Sequence, residues 1–153
     1  MRTFDSPKLI KLPMTINEIQ DQIIEDFSYY SDWMEKYEHI IQLGKELPLI
    51  DEQYKKDENL IRGCQSRVWL HAGLADGKVV FTADSDAIIT KGLVGLMISV
   101  LSNQPARDIA AADIYFIDKI GLKSHLSPTR SNGLLAMLKQ MKLYAVAFST
   151  VAH

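Results

Sequence analysis

Few side chains in this 153-residue sequence are suited to covalent chemistry, and the first is its single cysteine, Cys64. Most lone cysteines in intracellular domains behave as small buried hydrophobes. Cys64 has a different context. It follows Gly63, precedes the polar run Gln65-Ser66-Arg67, and falls outside any apolar stripe, at a bend where a thiol can be presented to a partner. The thiolate is the reactive form, and nearby cations raise its fraction while carboxylates lower it. Arg62 and Arg67 are close in sequence, and Asp84 and Asp86 end the following strand, so the sequence leaves the net effect open. A Cys/His nucleophile pair would draw its base from His39, His71, His125 or His153. His71 stands along the strand from Cys64, about 23 Å away at ~3.3 Å per residue, too far for a direct hydrogen bond. His125 adjoins a helix start and is expected to organise that loop; His39 and His153 read as surface or terminal residues. Asp84 and Asp86 suit helix capping at least as well as chemistry. Arg130 falls in the first turn of a helix, where the helix dipole disfavours a cation, which hints at an external partner. No glycine-rich phosphate loop, His-Glu-x-x-His helix or Gly-x-Ser-x-Gly turn is present.

Composition narrows the field further. With 17 Lys+Arg against 19 Asp+Glu the net charge is −2, which carries no strong basic footprint for nucleic acid. One cysteine rules out an intramolecular disulfide, a self-held iron–sulfur cluster and the usual structural zinc site. A chain of this size buries roughly 70% of the surface its unfolded form exposes, so it needs no such staple. Residues 1–13 contain Asp5 and Pro7 and no long apolar stretch, which does not read as a secretory signal. The longest run of apolar and small residues, Gly92 to Leu101, is about half the ~20 residues a membrane span requires. The expectation is a soluble, cytoplasmic protein in a reducing compartment, with no membrane and no nucleic-acid partner.

The elements that must position Cys64 follow from periodicity. Thr15 and Glu18 form a capping box, with Met14 and Ile19 in the staple positions. Ile16, Ile19, Ile23, Phe27, Tyr30 and Met34 then recur at helical steps, predicting a helix from 16 to about 35 and a second short one from about Tyr37 to Leu43. The period next changes to two: Val68, Leu70 and Ala72, then Val79, Phe81 and Ala83, predict a β-hairpin about the Ala75–Lys78 turn. Asn59 to Arg62 is a third strand candidate, giving a meander with Cys64 at one bend. Ala87 to Leu101 reads as a buried helix capped from Asp84-Ser85-Asp86, and Gly92, Gly95 and Ser99 along one side of it suggest a close neighbour. Pro105 opens a short helical turn, Tyr115 to Leu122 is irregular or a single turn, and Ser127-Pro128 starts a last helix running to about Phe148. Helix, strands, then helices imply an α+β domain with helices packed on a small three-stranded antiparallel sheet.

Three separated motifs, in order, now carry a resemblance. Gly63-Cys64-Gln65-Ser66-x-Val68-Trp69, then Asp84-Ser85-Asp86-Ala87-x-Ile89-x-Lys91-Gly92-Leu93, then Gly121-Leu122-x-x-His125-Leu126-Ser127-Pro128-x-Arg130-x-Asn132-Gly133-Leu134-x-Ala136-Met137 resemble the SufE/CsdE family of sulfur acceptors. Trp33, Lys36-Tyr37, Ile40-Ile41, Leu43-Gly44 and Leu47-Pro48 fit its N-terminal pattern. The resemblance divides the chain into an extension, 1–13, and a SufE-like domain, 14–153, whose fold is shared with scaffold proteins of the IscU type. A scaffold needs several cysteines and this chain has only Cys64, so the carrier is the relative that fits.

The resemblance implies that Cys64 takes sulfane sulfur from a PLP-dependent cysteine desulfurase of the SufS/CsdA type and stimulates that enzyme. As a persulfide, Cys64 then passes the sulfur on for iron–sulfur cluster assembly on a SufBCD-like scaffold complex. The chain would be no enzyme itself and would need no cofactor, the PLP being the partner's. Gly63, Gln65, Ser66 and Trp69 would shape the cysteine loop, and Asp86, His125 and Arg130 would serve the loop or the partner interface. Arg67, where the family often has Gln, and the extension depart from the pattern. A stand-alone thiol enzyme, a peroxidase or sulfurtransferase using Cys64, is the rival, disfavoured by the lack of a neighbouring base or resolving cysteine. The choice of monomer or homodimer stays open.

Overall fold

The computed structural model describes residues 14–150, so the extension 1–13 and His153 lie outside the described residues. The chain enters α1 (Ile16–Ser28) through the expected capping box: Glu18 N donates to Thr15 Oγ1 at 3.1 Å and Thr15 N donates to Glu18 Oε1 at 2.8 Å. The helix then stops short of the expected residue 35. Glu35 N donates to Asp32 Oδ1 at 2.9 Å, and Glu35 Oε1 accepts from both the amide and the hydroxyl of Ser31, which starts a new helix, α2 (Trp33–Lys45). The apolar spacing runs on through Met34, but that side chain is 72% exposed, so the stripe ends at Tyr30. The short helix expected over Tyr37 to Leu43 is the latter part of α2.

The centre of the molecule is α3 (Ile88–Leu101), buried over most of its circumference. One side faces the hairpin of β1 (Val68–Ala75) and β2 (Lys78–Ser85), whose Val68, Leu70, Ala72, Val79, Phe81 and Ala83 point inward. The other side meets α2, as its glycines suggest. A Cβ on Gly92 would stand 2.2 Å from the Ile40 carbonyl oxygen, and one on Gly95 2.9 Å from that of Leu43. The two helices therefore cross with backbone against backbone. Helix α3 begins at Ala87 without a side-chain cap, so Asp84, Ser85 and Asp86 do not cap it as expected, although Ser85 Oγ accepts from Ala87 N at 3.3 Å.

The hairpin closes through Asp76 and Gly77, with φ of 54° and 78°, the left-handed pair that a tight two-residue turn requires. The sheet is three-stranded and antiparallel, but its third strand is not Asn59 to Arg62. It is β3 (Gln104–Pro105), which pairs with Lys78 and Val79 after the chain has passed through α3. Residues 57–59 instead form a 3-10 turn, and Leu60 makes only an isolated bridge to Trp69. A two-residue strand is too short to leave a periodic signature.

Beyond β3 come α4 (Ala106–Ala111), α5 (Phe116–Lys119), a 3-10 turn (Leu122–His125) and α6 (Pro128–Ser149), with Ser127 Oγ accepting from Arg130 N at 3.2 Å. Buried Gln20 ties α1 to the start of α5: its amide donates to Asp113 O and Asn17 Oδ1, and its oxygen accepts from Tyr115 N and Phe116 N. All of its polar capacity is met, as burial demands. No helix among the described residues is long and apolar enough to cross a membrane.

Candidate functional site

Cys64 sits in a six-residue loop, 62–67, pinned at both ends. Ile61 N donates to Val68 O at 2.8 Å, and Asp86 Oδ1 accepts from Arg67 N at 3.0 Å while Asp86 N returns a bond to Arg67 O. Asp86 is thus a clasp between the end of β2 and the start of β1. Gly63, at φ 97°, supplies the left-handed turn that reverses the chain just before the cysteine. The loop folds inward, so the thiol rests on α6 instead of standing at a tip: Cys64 Sγ lies 3.5 Å from the Gly133 carbonyl oxygen, the acceptor for its S–H. A Cβ on Gly133 would come within 3.2 Å of the same sulfur.

Half-buried in this way, the Cys64 thiol is pushed above its ordinary pKa by desolvation, which disfavours the anion. The flanking charges that left its state open in the sequence do not offset this. In the resting protein the sulfur is half-buried and faces the Gly133 carbonyl.

Beneath the loop lies a cavity of about 330 Å³. Its floor is apolar, formed by Val68 of β1, Leu93 and Val94 of α3, and Leu134 and Met137 of α6. Its rim is polar, with Gln65, Ser66, Thr90, Thr129 and Arg130. Cys64 and Arg130 are the titratable side chains in its wall. Sequence reasoning missed Gly133, Leu134 and Met137 as site residues, yet with Arg130 they recur at i, i+3, i+4 and i+7, one face of α6.

The structure brings Gly63, Cys64, Gln65, Ser66 and Arg130 together and fastens Asp86 to their loop. It does not bring in the others. Trp69, expected to shape the cysteine loop, alternates with Val68 and points to the opposite face of β1, where the Lys55 ammonium stands 4.8 Å from its ring, so its side chain does not line the cavity. His125 stacks on Trp33 at 3.8 Å and its carbonyl accepts from the Tyr37 hydroxyl, which orders the loop before α6. His71 stacks on Tyr54 at 3.7 Å, and His39, expected on the surface, is half-buried edge-on against Phe27 at 5.3 Å. None of these three imidazoles lines the cavity. No group of three or more His, Cys, Asp or Glu placed to hold a metal occurs among the described residues. The arrangement offers one sulfur nucleophile over an apolar floor, with no imidazole or carboxylate among the described residues that line the cavity.

Comparison with known proteins finds relatives over most of the chain. The SufE family model, described as an Fe-S metabolism associated domain, matches residues 21–145. A SufE-like protein of Rhizobium etli is 43% identical over 127 residues, 80% of this chain and 86% of the relative. Another from Rhizobium meliloti is 41% identical over 127 residues, 80% of this chain and 91% of the relative. Among solved structures, the solution structure of a hypothetical protein from Thermus thermophilus superposes with a TM-score of 0.73 at 19% identity, covering 86% of this chain and 96% of that one, a likeness of fold.

Proposed function

The chain belongs to the SufE family, and from that premise we propose that it is a sulfur acceptor and carrier whose working atom is Cys64 Sγ. One observation carries this reading: the only thiol of the chain is seated over an apolar cavity whose described lining holds no imidazole or carboxylate. Such a sulfur suits thiol exchange with a donor that brings its own reactive group. The Cys64 thiolate attacks the terminal sulfur of a persulfide, R–S–SH, on the donor; a new S–S bond forms at Sγ, the donor's S–S bond breaks, and R–S⁻ leaves and takes up a proton. Cys64–SH plus R–S–SH becomes Cys64–S–SH plus R–SH, with no external oxidant or reductant. The reverse logic delivers the sulfur onward.

The donor is a PLP-dependent cysteine desulfurase of the SufS/CsdA type, which the exchange stimulates by emptying its cysteine. The recipient is an iron–sulfur scaffold complex of the SufBCD type, in the cytoplasm. Gly63 and Asp86 set the loop, Gly133 seats the sulfur, and the apolar floor shelters the persulfide from reductants until a partner draws the loop out. Intact-mass analysis after mixing the protein with a desulfurase and free cysteine is the test. A gain of one sulfur mass on Cys64, absent in Cys64→Ser, supports the reading. No gain, equal stimulation by Cys64→Ser, or substrate turnover by the chain without a desulfurase overturns it.

A further inference from the structure

Residues 51–60 form a strap that leads into the cysteine loop and crosses the outer face of the hairpin from edge to edge. At one end Ile50 N donates to Ala83 O at 3.0 Å, on the side of β2 turned away from β1; at the other, Leu60 bridges Trp69 on the free edge of β1. The strap is knitted internally by two 3-10 turns and by Asn59 Nδ2, which donates to Tyr54 O at 2.6 Å. Two side chains fasten it to the sheet. Tyr54 stacks on His71 with ring centroids 3.7 Å apart, and Lys55 lies over the register pair Trp69 and Asp84, its ammonium 4.8 Å from the indole and 3.0 Å from the carboxylate. Beyond Leu60 the chain rounds the end of β1 and places Cys64 on the inner side, where Val68 helps to floor the cavity. The two limbs of the loop are therefore held differently. Asp86 clasps the downstream limb, and the upstream limb is held through the bond from Ile61 N to Val68 O and the strap behind it.

We propose that Lys55 is a positioning residue for Cys64: by bridging Asp84 and Trp69 it anchors the strap, and so sets how often the upstream limb lifts the sulfur off Gly133. This rests on the sulfur-acceptor reading above, since an acceptor must expose Sγ to its donor and cover it again. The ion pair suits a latch because its side chains are 28% and 17% exposed, dry enough for the charges to attract and wet enough for the pair to break and re-form. The internal hydrogen bonds of the strap make it move as a unit, so release at Lys55 is felt at Ile61. Trp69 thus shapes the cysteine loop from behind, through Lys55. Lys91 reaches the same carboxylate at 3.2 Å from α3, which fastens β2 to that helix and leaves the strap untouched. The two lysines are a matched pair on one carboxylate, and the latch belongs to Lys55 alone.

Three measurements on the full chain test the latch. In the first, Cys64 is alkylated by iodoacetamide in the folded protein, and the rate is divided by that of the same chain unfolded in urea, which cancels the thiol's own reactivity. Lys55→Met is expected to raise this ratio about five- to tenfold, Lys55→Arg to return it to the parent value, and Lys91→Met to change it by less than about twofold. Tyr54→Leu removes the other anchor of the strap and is expected to act in the same direction, which keeps the test open if Lys55→Met does not fold. A ratio unmoved by Lys55→Met, or moved equally by Lys91→Met, overturns the proposal. In the second, hydrogen exchange at the Ile61 amide is expected to quicken in Lys55→Met while the Arg67 amide, bonded to Asp86, stays as in the parent; equal change at both overturns the unequal limbs. In the third, the protein is loaded by a cysteine desulfurase and the loss of the extra sulfur to added free cysteine is followed by intact mass. The step is Cys64–S–SH plus R–SH giving Cys64–SH plus R–S–SH, and it is expected to be faster in Lys55→Met by the same factor as alkylation. Normal loading with alkylation and loss unmoved by Lys55 removes the latch and leaves the sulfur-acceptor reading standing. No loading of the parent, with alkylation still governed by Lys55, removes that reading and leaves the latch.

Discussion

Cys64 Sγ rests 3.5 Å from the carbonyl oxygen of Gly133, and a methyl group on that glycine would meet the same sulfur at 3.2 Å. Gly133 thereby decides how deeply the thiol sits. Gly133→Ala adds helix propensity of about 1 kcal/mol but crowds the sulfur, so global stability should change by no more than ~1 kcal/mol. The thiol should move outward. Alkylation of Cys64 by iodoacetamide is expected to become faster at neutral pH, with its midpoint shifted down. An unchanged pH–rate profile would show that the glycine does not seat the sulfur.

Burial holds the Cys64 pKa above that of a free thiol, and the sign of the linkage follows. A group whose pKa is raised on folding contributes stability that is complete below its unfolded pKa and is lost as pH rises through the folded value. The parent is therefore expected to lose stability relative to Cys64→Ala as pH climbs beyond the ordinary thiol range near 8.5. Urea denaturation of both proteins from neutral to alkaline pH measures the difference. A gap that stays constant with pH refutes it.

Asp84 joins three segments. Its carboxylate meets Lys55 Nζ at 3.0 Å and Lys91 Nζ at 3.2 Å, and the side chain is only 17% exposed. Burial pushes its pKa up, but the bonds from Lys55, the Ser85 amide and Lys91 outweigh this and hold it below the usual carboxylate range. With a depressed folded pKa, the contribution is present above the unfolded value near 3.9 and is lost as pH falls through the folded one. Asp84→Asn should cost about 2 kcal/mol at neutral pH, the scale of charged hydrogen bonds, and progressively less below pH ~4. Thermal melts across that range should show the two curves converge.

Gly92 and Gly73 make a matched pair of tests. A Cβ at Gly92 would strike the Ile40 carbonyl oxygen at 2.2 Å, whereas one at Gly73 meets nothing within 4 Å. Gly92→Ala forces α2 away from α3 and should destabilise by more than ~3 kcal/mol, at the upper end of overpacking. Gly73→Ala should be within ~0.5 kcal/mol of the parent. Chemical denaturation of both separates close helix crossing from a general cost of adding a methyl.

A buried glutamine offers a further check. Gln20→Leu keeps much of the volume but leaves Tyr115 N, Phe116 N and Asp113 O without their partner, which should cost ~2–4 kcal/mol. Hydrogen exchange at the Tyr115 and Phe116 amides is expected to rise sharply. Exchange that stays slow would mean those amides find other acceptors.

The sequence by itself determined a good deal. Local signals set the capping box at Thr15, the hairpin with its inward set from Val68 to Ala83, the buried α3 with its two close-packing glycines, and the Ser127-Pro128 start of α6, because each depends on neighbours within a few residues. The lone cysteine and its motif marked the site, and the absence of other thiols excluded a self-held cluster. Tertiary structure decided what depends on distant segments. The break at Ser31-Asp32 won over a continuing apolar stripe because the cap came from side chains that the stripe ignores. The third strand came from Gln104–Pro105, which reaches β2 only after α3 has crossed the sheet. Trp69, adjacent to Val68 in sequence, is on the far face because a strand alternates. Gly133, sixty-nine positions from Cys64, became its nearest acceptor. The environment of the thiol was beyond sequence for the same reason: the flanking arginines and aspartates are visible in the chain, but the shift comes from desolvation, and burial exists only once the loop and helix have met.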